Sequence, residues 1–292
     1  MANEMEKKYR HYEKMANTTI KNQHVQIYIV YGIIGILLGY IISVGRSVEF
    51  LLIAVVIGAL LGVLAGFILI KIGKMRSKMM FGKLTELSKS EGYSDATLAE
   101  AYNIFEKFKN TGNKKLLAVN IATIHNIRGE FLQALGVLEN IDETSFIADP
   151  SMAELYYAQK LLAMLNIGDL DHSADTYNRG LYYMRTYMNH PINGGIICNA
   201  LAVYEFYCGH YDIALQLISD SDNIFNEFAK NGNLEISSLC EWFVNRYWQA
   251  RILSMQGKTA DALEALNIIG NKVYITDYYK TKIAELREEL IR

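Results

Sequence analysis

Two uncharged apolar runs near the N-terminus constrain this chain more than any other feature. Val25–Val44 and Phe50–Ile70 contain 20 and 21 residues, and neither run carries Asp, Glu, Lys or Arg. At about 1.5 Å per residue, each helix would span roughly 30 Å, the thickness of a bilayer hydrocarbon core. One such run is also typical of a buried helix in a soluble protein, but two runs separated by five residues favour membrane spans. The sequence therefore predicts a transmembrane hairpin at residues 25–71.

The basic residues around the two runs predict their orientation. Five Lys or Arg side chains precede the first run, five follow the second as far as Lys83, and Arg46 alone lies between the runs. Positively charged flanks remain on the cytoplasmic side. We therefore expect a plasma-membrane protein with two spans, with both termini in the cytoplasm. Residues 1–24 form a basic cytoplasmic segment, and residues 72–93 form a basic juxtamembrane linker. This linker either binds anionic membrane lipid or only fixes the topology.

Small residues recur at spacings of four in both runs. They are Gly35 and Gly39 in the first run, and Gly58, Gly62 and Gly66 in the second. Such a stripe allows two helix backbones to approach closely within a membrane. Two interpretations stay open: the stripes pack on each other within the hairpin, or one of them joins two copies into a homo-oligomer. Neither run offers ionisable groups for an ion or proton path.

Residues 94–292 carry a repeated pattern typical of helix pairs. Four glycines are each followed five positions later by a small residue: Gly129 and Ala134, Gly168 and Ser173, Gly209 and Ala214, Gly257 and Ala262. Glycine suits the left-handed cap that ends a helix, and the small residue lets the second helix pack closely on the first. Only two prolines occur in the chain, and no useful length shows strand alternation. The pattern predicts an all-α fold.

The turns of this pattern resemble those of the tetratricopeptide repeat (TPR) family. The similarity lies in RGEFLQAL at 128–135 and GHYDIAL at 209–215, and it extends over residues 97–290. The spacings between successive glycines, 39, 41 and 48 residues, are longer than the family's period of 34. The resemblance implies a membrane-anchored bacterial-type TPR protein, in which an α-solenoid follows the transmembrane hairpin. The run 277–292 has an apolar stripe and a polar back, as a capping helix at the end of a solenoid requires.

The resemblance also implies where a partner would bind. In this family the first helix of each pair lines a concave groove that takes a protein or peptide. The residues expected to be exposed in that groove are Thr123, Asn126, Asn166, Asn199, Phe206, Tyr247 and Arg251. Their side-chain amides could hydrogen-bond a peptide backbone. Arg251 is the only basic residue among them, so a clamp for a C-terminal carboxylate is not matched.

No residue pattern in the chain indicates catalysis, a cofactor or a metal site. The six histidines lack ligand spacing, and we interpret His125 as a hydrogen-bonded core histidine. Asp169 and Asp171, like Asp220 and Asp222, are interpreted as residues at loops or helix starts, where Asp caps helices. The stretch from Ser151 to Glu154 reads as a capping box that opens a helix.

The cysteines and the distribution of charged residues limit the function classes that remain. The three cysteines lack CxxC spacing and are odd in number, so we expect buried free thiols in a reducing compartment. Residues 1–83 contain 11 basic and 4 acidic side chains, and the rest of the chain contains 18 and 27. The acidic balance of the second part argues against a nucleic-acid partner, since phosphate binding requires a basic surface.

Three function hypotheses fit these observations. The first is a non-catalytic, membrane-anchored adaptor whose cytoplasmic repeat domain binds a protein or peptide. The second is a ligand-responsive regulator, in which binding to the repeats alters oligomerisation of the transmembrane hairpin. The third, a membrane enzyme, has no motif in its support. The absence of catalytic motifs favours the first two over the third, and the state of the glycine stripes separates the first from the second.

The distribution of basic residues makes a prediction about topology. Reporter fusions at residue 46 should report from outside the cytoplasm, whereas fusions at either terminus should report from inside it, because Lys and Arg flanks resist translocation. Paired alkaline phosphatase and green fluorescent protein fusions measure this directly. A C-terminal fusion that reports from outside would contradict the predicted orientation.

Overall fold

The computed structural model describes residues 27–31, 33–34, 36–38, 40–41, 48–107, 111–150, 152–191, 193–232, 240–269 and 275–292. Every regular element in these ranges is an α-helix, which confirms the all-α prediction for this part of the chain. The chain forms two compact units, Met1–Lys83 and Leu84–Arg292.

The first unit contains the apolar helices. α1 comprises Ile27–Leu38 and α2 comprises Val48–Glu91. Among the described residues, one helical segment is long and apolar enough to cross a membrane: Ile53–Ile72, with a mean hydropathy of 2.9. It overlaps the second predicted run. The described part of α1 is shorter than a span, and the predicted N-terminal segment 1–24 lies outside the described residues.

One member of the predicted glycine stripe is in contact with α1. Gly66 is buried, and a Cβ atom on it would lie 3.5 Å from Cδ1 of Tyr28 and 3.5 Å from Cβ of Tyr31. Gly62 is half-buried in the same helix, and Gly58 also lies within α2. Gly35 and Gly39 are outside the described residues. The contact at Gly66 is made within one chain, as the hairpin interpretation expects.

The second unit consists of helices joined by short turns. After the end of α2 these are α3 (Asp95–Lys107), α4 (Thr111–Arg128), α5 (Phe131–Leu138), α6 (Ser145–Ala148), α7 (Ala153–Asn166), α8 (Leu170–Tyr187), α9 (Asn193–Tyr207), α10 (Tyr211–Asn231), α11 (Cys240–Met255), α12 (Thr259–Ile269) and α13 (Asp277–Ile291). The most extensive contacts join α4 to α5, α7 to α8, α9 to α10 and α11 to α12. These four pairs are the four segments found in the sequence.

The turn inside each pair has the same geometry. Gly129, Gly168, Gly209 and Gly257 have φ values of 78°, 80°, 80° and 72°. The amide of the next residue donates to a carbonyl five residues earlier, as from Glu130 to His125 and from Lys258 to Leu253, both at 2.9 Å. This is the Schellman motif, in which a left-handed residue ends the helix. The small residues that follow, Ala134, Ser173, Ala214 and Ala262, are at most 1% exposed. The predicted roles of glycine and small residue are confirmed.

The first helices of the pairs also contact one another in order. α4 packs on α7, α7 on α9, α9 on α11 and α11 on α13. α13 buries Tyr279, Ile283 and Leu286, which are members of its predicted apolar stripe. However, α13 contacts α4 in addition to α11 and α12. The last helix therefore meets the first pair, which the prediction of an end cap did not include.

The start of α7 differs from the predicted capping box. Its cap residue is Met152, with a φ of 69° and no side-chain hydrogen bond to the helix, and Ser151 lies outside the described residues. Glu154 does not reach back to the cap. Its side chain is turned inward, where Oε1 accepts a hydrogen bond of 3.1 Å from Nδ2 of Asn193 in α9. The tertiary contact with α9 replaces the local cap.

Glu154 is therefore a buried carboxyl group with incomplete hydrogen bonding. It is 3% exposed, and its Oε2 has no hydrogen-bond partner. Burial raises the pKa of Glu154 to about 7, although its backbone amide and Asn193 oppose the shift. Loss of water around the carboxylate outweighs the two hydrogen bonds, since an ionised group is costly to bury.

The raised pKa predicts a pH dependence of stability that Glu154→Gln should remove. The folded state binds more protons than the unfolded state between pH 4.5 and 7, so wild-type stability falls as pH rises through this window. The loss amounts to about 3 kcal/mol at roughly 1.4 kcal/mol per pKa unit. For a domain of this size, the unfolding midpoint of Glu154→Gln should exceed that of wild type by about 6–12 °C at pH 8. The two proteins should be nearly equal at pH 4.5.

Thermal unfolding of the purified full-length protein across this pH range measures the difference. Glu139→Gln is the control, because Glu139 is exposed. A midpoint difference between Glu154→Gln and wild type that stays constant with pH would contradict a buried, titrating Glu154.

Candidate functional site

A small cavity lies at the centre of the second unit. It has a volume of about 40 Å³, room for about three water molecules. Its apolar wall consists of Ile127, Phe131, Leu162, Ile196, Phe225 and Val244, and its other lining residues are Thr123, Asn126, Gln159, Asn166, Asn199, Glu241, Asn245 and Tyr279. Most of these residues belong to α4, α7, α9, α11 and α13. The first helices of the pairs and the last helix therefore line the cavity.

Four of the seven predicted groove residues meet at this cavity. Thr123, Asn126, Asn166 and Asn199 line it. The expected exposure is wrong for Asn126 and Asn199, which are each 5% exposed. The inner helices lie close enough for these amides to hydrogen-bond to the facing helix, which removes them from solvent.

The other three predicted residues lie away from the cavity lining. Phe206 packs against the Trp248 ring with centroids 5.4 Å apart, and Tyr247 packs against Tyr279 at the same distance. Burial raises the pKa of Tyr247 to about 12. Arg251 forms a 2.7 Å ion pair with Glu289 of α13. These three side chains join inner helices to their neighbours.

Asn126 and Gln159 form an amide pair in the cavity wall. Nδ2 of Asn126 donates to the backbone carbonyl of Gln159 at 2.9 Å and to its Oε1 at 2.7 Å. A backbone carbonyl can only accept, so it fixes the orientation of the Asn126 amide. Oδ1 of Asn126 is consequently buried without a partner. Nε2 of Gln159 also has no partner among the described residues.

A second amide network crosses from α9 to α11. Nδ2 of Asn199 donates to Oδ1 of Asn245 at 2.8 Å, and Nδ2 of Asn245 donates to Ser221 Oγ at 2.8 Å and Asp222 Oδ1 at 2.9 Å. Asp222 also pairs with Arg246. The expectation that Asp222 lies at a helix start is wrong, because it is 8% exposed in the middle of α10. Its carboxylate binds a buried network instead of capping a helix.

His125 is a core histidine, as predicted. It is 4% exposed, its Nδ1 lies 2.6 Å from Glu130 Oε2, and its Nε2 lies 2.9 Å from the Tyr102 hydroxyl. Glu130 and His125 face each other across the first Gly turn. Glu205 and His210 occupy the same positions, with the residues exchanged, at the third turn, 2.7 Å apart. Both pairs reinforce a turn. Asp169 caps α8, as predicted, by accepting from the His172 amide.

The cysteines and acidic side chains offer no further chemistry in the described residues. Cys198 is buried, and burial raises its pKa to about 12. Cys208 is exposed, so the expectation of a buried thiol is wrong for it. It directly follows the last residue of α9, at the turn, where the chain is accessible. No group of three or more His, Cys, Asp or Glu side chains in these ranges could hold a metal ion.

Sequence reasoning missed Gln159 and Asn245 as lining residues. For Asn245 the signal available was an amide directly after the apolar residues Trp242, Phe243 and Val244. A polar residue at such a position needs a buried partner. The partner itself cannot be read from the sequence, because it lies 46 residues away in the case of Asn199 and Asn245.

Comparisons with known proteins found no match for this chain. The chain matches no protein-family model, and no curated protein or solved structure is significantly similar to it. The resemblance to tetratricopeptide repeats therefore stays a prediction from the sequence.

The second amide network predicts a large difference between two Asn→Ala variants. Asn245→Ala would leave Nδ2 of Asn199 without a partner and would remove one hydrogen bond each from Ser221 and Asp222, at about 3 kcal/mol in total. Asn166→Ala removes only a 2.8 Å bond to Leu162 of its own helix and should cost less than about 1 kcal/mol. In thermal unfolding of the full-length protein, Asn245→Ala should lower the midpoint by about 6–12 °C, and Asn166→Ala should lower it by less than about 4 °C. Equal losses would contradict the network.

Proposed function

We propose that this chain is a membrane-anchored, non-catalytic adaptor that binds an extended peptide segment of a partner through the central cavity. The amide pair of Asn126 and Gln159 carries this proposal. It presents one unpaired acceptor, Oδ1 of Asn126, and one unpaired donor, Nε2 of Gln159. A peptide group offers the complementary N–H and C=O.

The energetics favour a ligand of this kind. A buried polar atom without a hydrogen bond costs about 1–3 kcal/mol, and a peptide group that satisfies both amides removes that cost. Main-chain hydrogen bonds give affinity to an extended segment, while apolar pockets select its side chains. Phe131, Leu162 and Phe225 in the cavity wall supply such apolar surface.

The repeat architecture supports the same function. Four helix pairs with one turn geometry, whose first helices contact one another in order, are what a TPR-like α-solenoid requires. Because such pairs cannot bury their apolar faces alone, they stack and present their first helices as a continuous surface. We propose that residues 94–292 are such a domain, and that its inner face is the binding surface.

The anchor in this proposal is a two-helix hairpin with both termini in the cytoplasm. Its support is the apolar segment Ile53–Ile72, the apolar α1 and the basic flanks of the sequence. The alternative, a regulator that oligomerises through the glycine stripes, is less well supported. Gly66 is already covered by Tyr28 and Tyr31 of the same chain, which favours the adaptor.

Site-specific photocrosslinking tests the binding site. A diazirine amino acid in place of half-buried Asn166, at the cavity, should form peptide or protein adducts in native membranes. The same substitution at Leu132, which is 69% exposed on α5, is the matched control and should form few. Mass spectrometry of the isolated adducts identifies the ligand. Protein adducts from position 132 with none from position 166 would contradict binding at the cavity.

A further inference from the structure

The lining of the central cavity carries one charged side chain. Glu241, in the first turn of α11, is the only Asp, Glu, Lys, Arg or His residue among the described residues that line it. Its Oε1 accepts a 2.5 Å hydrogen bond from the Tyr93 hydroxyl, and its Oε2 has no partner in the described part of the chain. A carboxylate accepts several hydrogen bonds through its two oxygens. Glu241 therefore gives the cavity a negative charge with unused capacity to accept.

Two amide oxygens add to these acceptors. Oδ1 of Asn126 is buried without a partner, in a residue that is 5% exposed. Oδ1 of Asn199 accepts no hydrogen bond from the described residues, and only its Nδ2 is used, in donation to Asn245. In the proposed function, one peptide group binds Asn126 and the Nε2 donor of Gln159. Asn199 and Glu241 then remain as acceptors beside it, so the ligand must bring further donors.

The size of the cavity limits the group that supplies these donors. Its volume of about 40 Å³, room for about three water molecules, admits one peptide group and the end of one side chain. A lysine ammonium is a compact positive charge with three donors and no acceptor, whereas the arginine guanidinium is a wider, planar group. The methylene stem of lysine packs along apolar surface, which Leu162, Ile196 and Val244 supply. Lysine therefore fits both the charge and the volume.

A polar cleft of about 400 Å³ adjoins the cavity. Tyr93 lines the cleft and donates to Glu241 in the cavity wall. Tyr278 lines the cleft, and the next residue, Tyr279, lines the cavity. An extended peptide advances about 3.3 Å per residue, so the neighbours of a residue held in the cavity reach the cleft.

The cleft has an excess of negative charge. Its lining contains four carboxylates and one guanidinium: Glu91, Asp95, Glu130, Asp277 and Arg128. Arg128 is bound to Asp95 and Glu130, and Asp277 pairs with Lys280 of its own helix. Residues 84–292 as a whole contain 18 basic and 27 acidic side chains. A surface with charges of mainly one sign attracts a segment of the opposite sign and raises its rate of capture.

We propose that the peptide bound at the cavity is basic, and that the cavity selects a lysine side chain. The ammonium pairs with Glu241 and donates to Oδ1 of Asn199, while the stem of the side chain packs on the apolar wall. Basic residues next to this lysine are attracted by the cleft. The assignment rests on the proposed function, because it names the residue that the peptide brings to the same cavity.

Positional peptide pools test the choice of lysine on the purified full-length protein in detergent micelles. Each pool contains fluorescent, N-acetylated and C-amidated peptides with Lys, Arg, Gln, norleucine or Glu at one fixed position and uncharged residues elsewhere. The fixed lysine then carries the only ammonium, and fluorescence polarisation measures binding. Lysine pools should bind at least about tenfold more tightly than norleucine or Gln pools, because a charge-assisted hydrogen bond is stronger than a neutral one. Arginine pools should lie between them, and Glu pools should bind most weakly.

Glu241→Gln removes the charge and keeps an oxygen that can accept from Tyr93. The advantage of lysine over norleucine should fall to less than about twofold, while binding of norleucine pools stays unchanged. Glu205→Gln is the matched control and should keep the full advantage. Glu205 is also half-buried and also accepts one side-chain hydrogen bond, at 2.7 Å from His210, but it does not line the cavity.

The outcomes separate this assignment from the proposed function. Asn166→Trp would fill the cavity and should abolish binding of every pool. If the pools bind in an Asn166-sensitive way but lysine gains nothing over norleucine, or arginine binds more tightly than lysine, the choice of lysine fails and the proposed function stands. If no pool binds, or Asn166→Trp binds them as wild type does, both fail. The comparison of pools on wild type decides the choice of lysine even if Glu241→Gln does not fold.

Discussion

The left-handed glycine turn is the constraint on which the second unit depends. Each of the four helix pairs requires a residue at a φ near 80°, which costs a side-chain-bearing residue about 1–2 kcal/mol. The turn satisfies carbonyl groups at the end of the first helix and sets the second helix beside it. The small residue five positions later is then buried. Without this turn the pairs would not form, and no inner row of helices would exist.

The inner row depends in addition on buried amides. Asn199 and Asn245 bind each other across two pairs, and Asn126 binds Gln159 across another two. A buried amide must find partners of fixed geometry, so these bonds set the register of one helix on the next in a way that apolar contact does not. In the amide pair of Asn126 and Gln159, Oδ1 of Asn126 has no hydrogen-bond partner. An incompletely satisfied polar group at a cavity is the reason that a ligand, rather than only a packed core, is proposed there.

A contact between α13 and the first helix pair turns the row of helices into a ring. An open row of helix pairs would expose its inner face to solvent, as expected from the sequence for Asn126 and Asn199. α13 meets α4 beside that face, which lines a pocket of about 40 Å³. Beside the polar cleft, the Tyr278 ring covers Gly129.

Local pattern in the sequence determined the helices, the four turns, the small residues after them and the apolar stripe of α13, because each depends on residues within a few positions of one another. It also indicated apolar helices near the N-terminus, and among the described residues Ile53–Ile72 is long and apolar enough to cross a membrane. It did not determine that Asp222 and Glu154 face inward, that Asn126 and Asn199 are buried, or that the last helix meets the first pair. Those outcomes are set by contacts such as the one between Thr276 and Ile127, 149 residues apart. Only the tertiary structure decides them, because the identity of a buried group's partner depends on how whole helices pack.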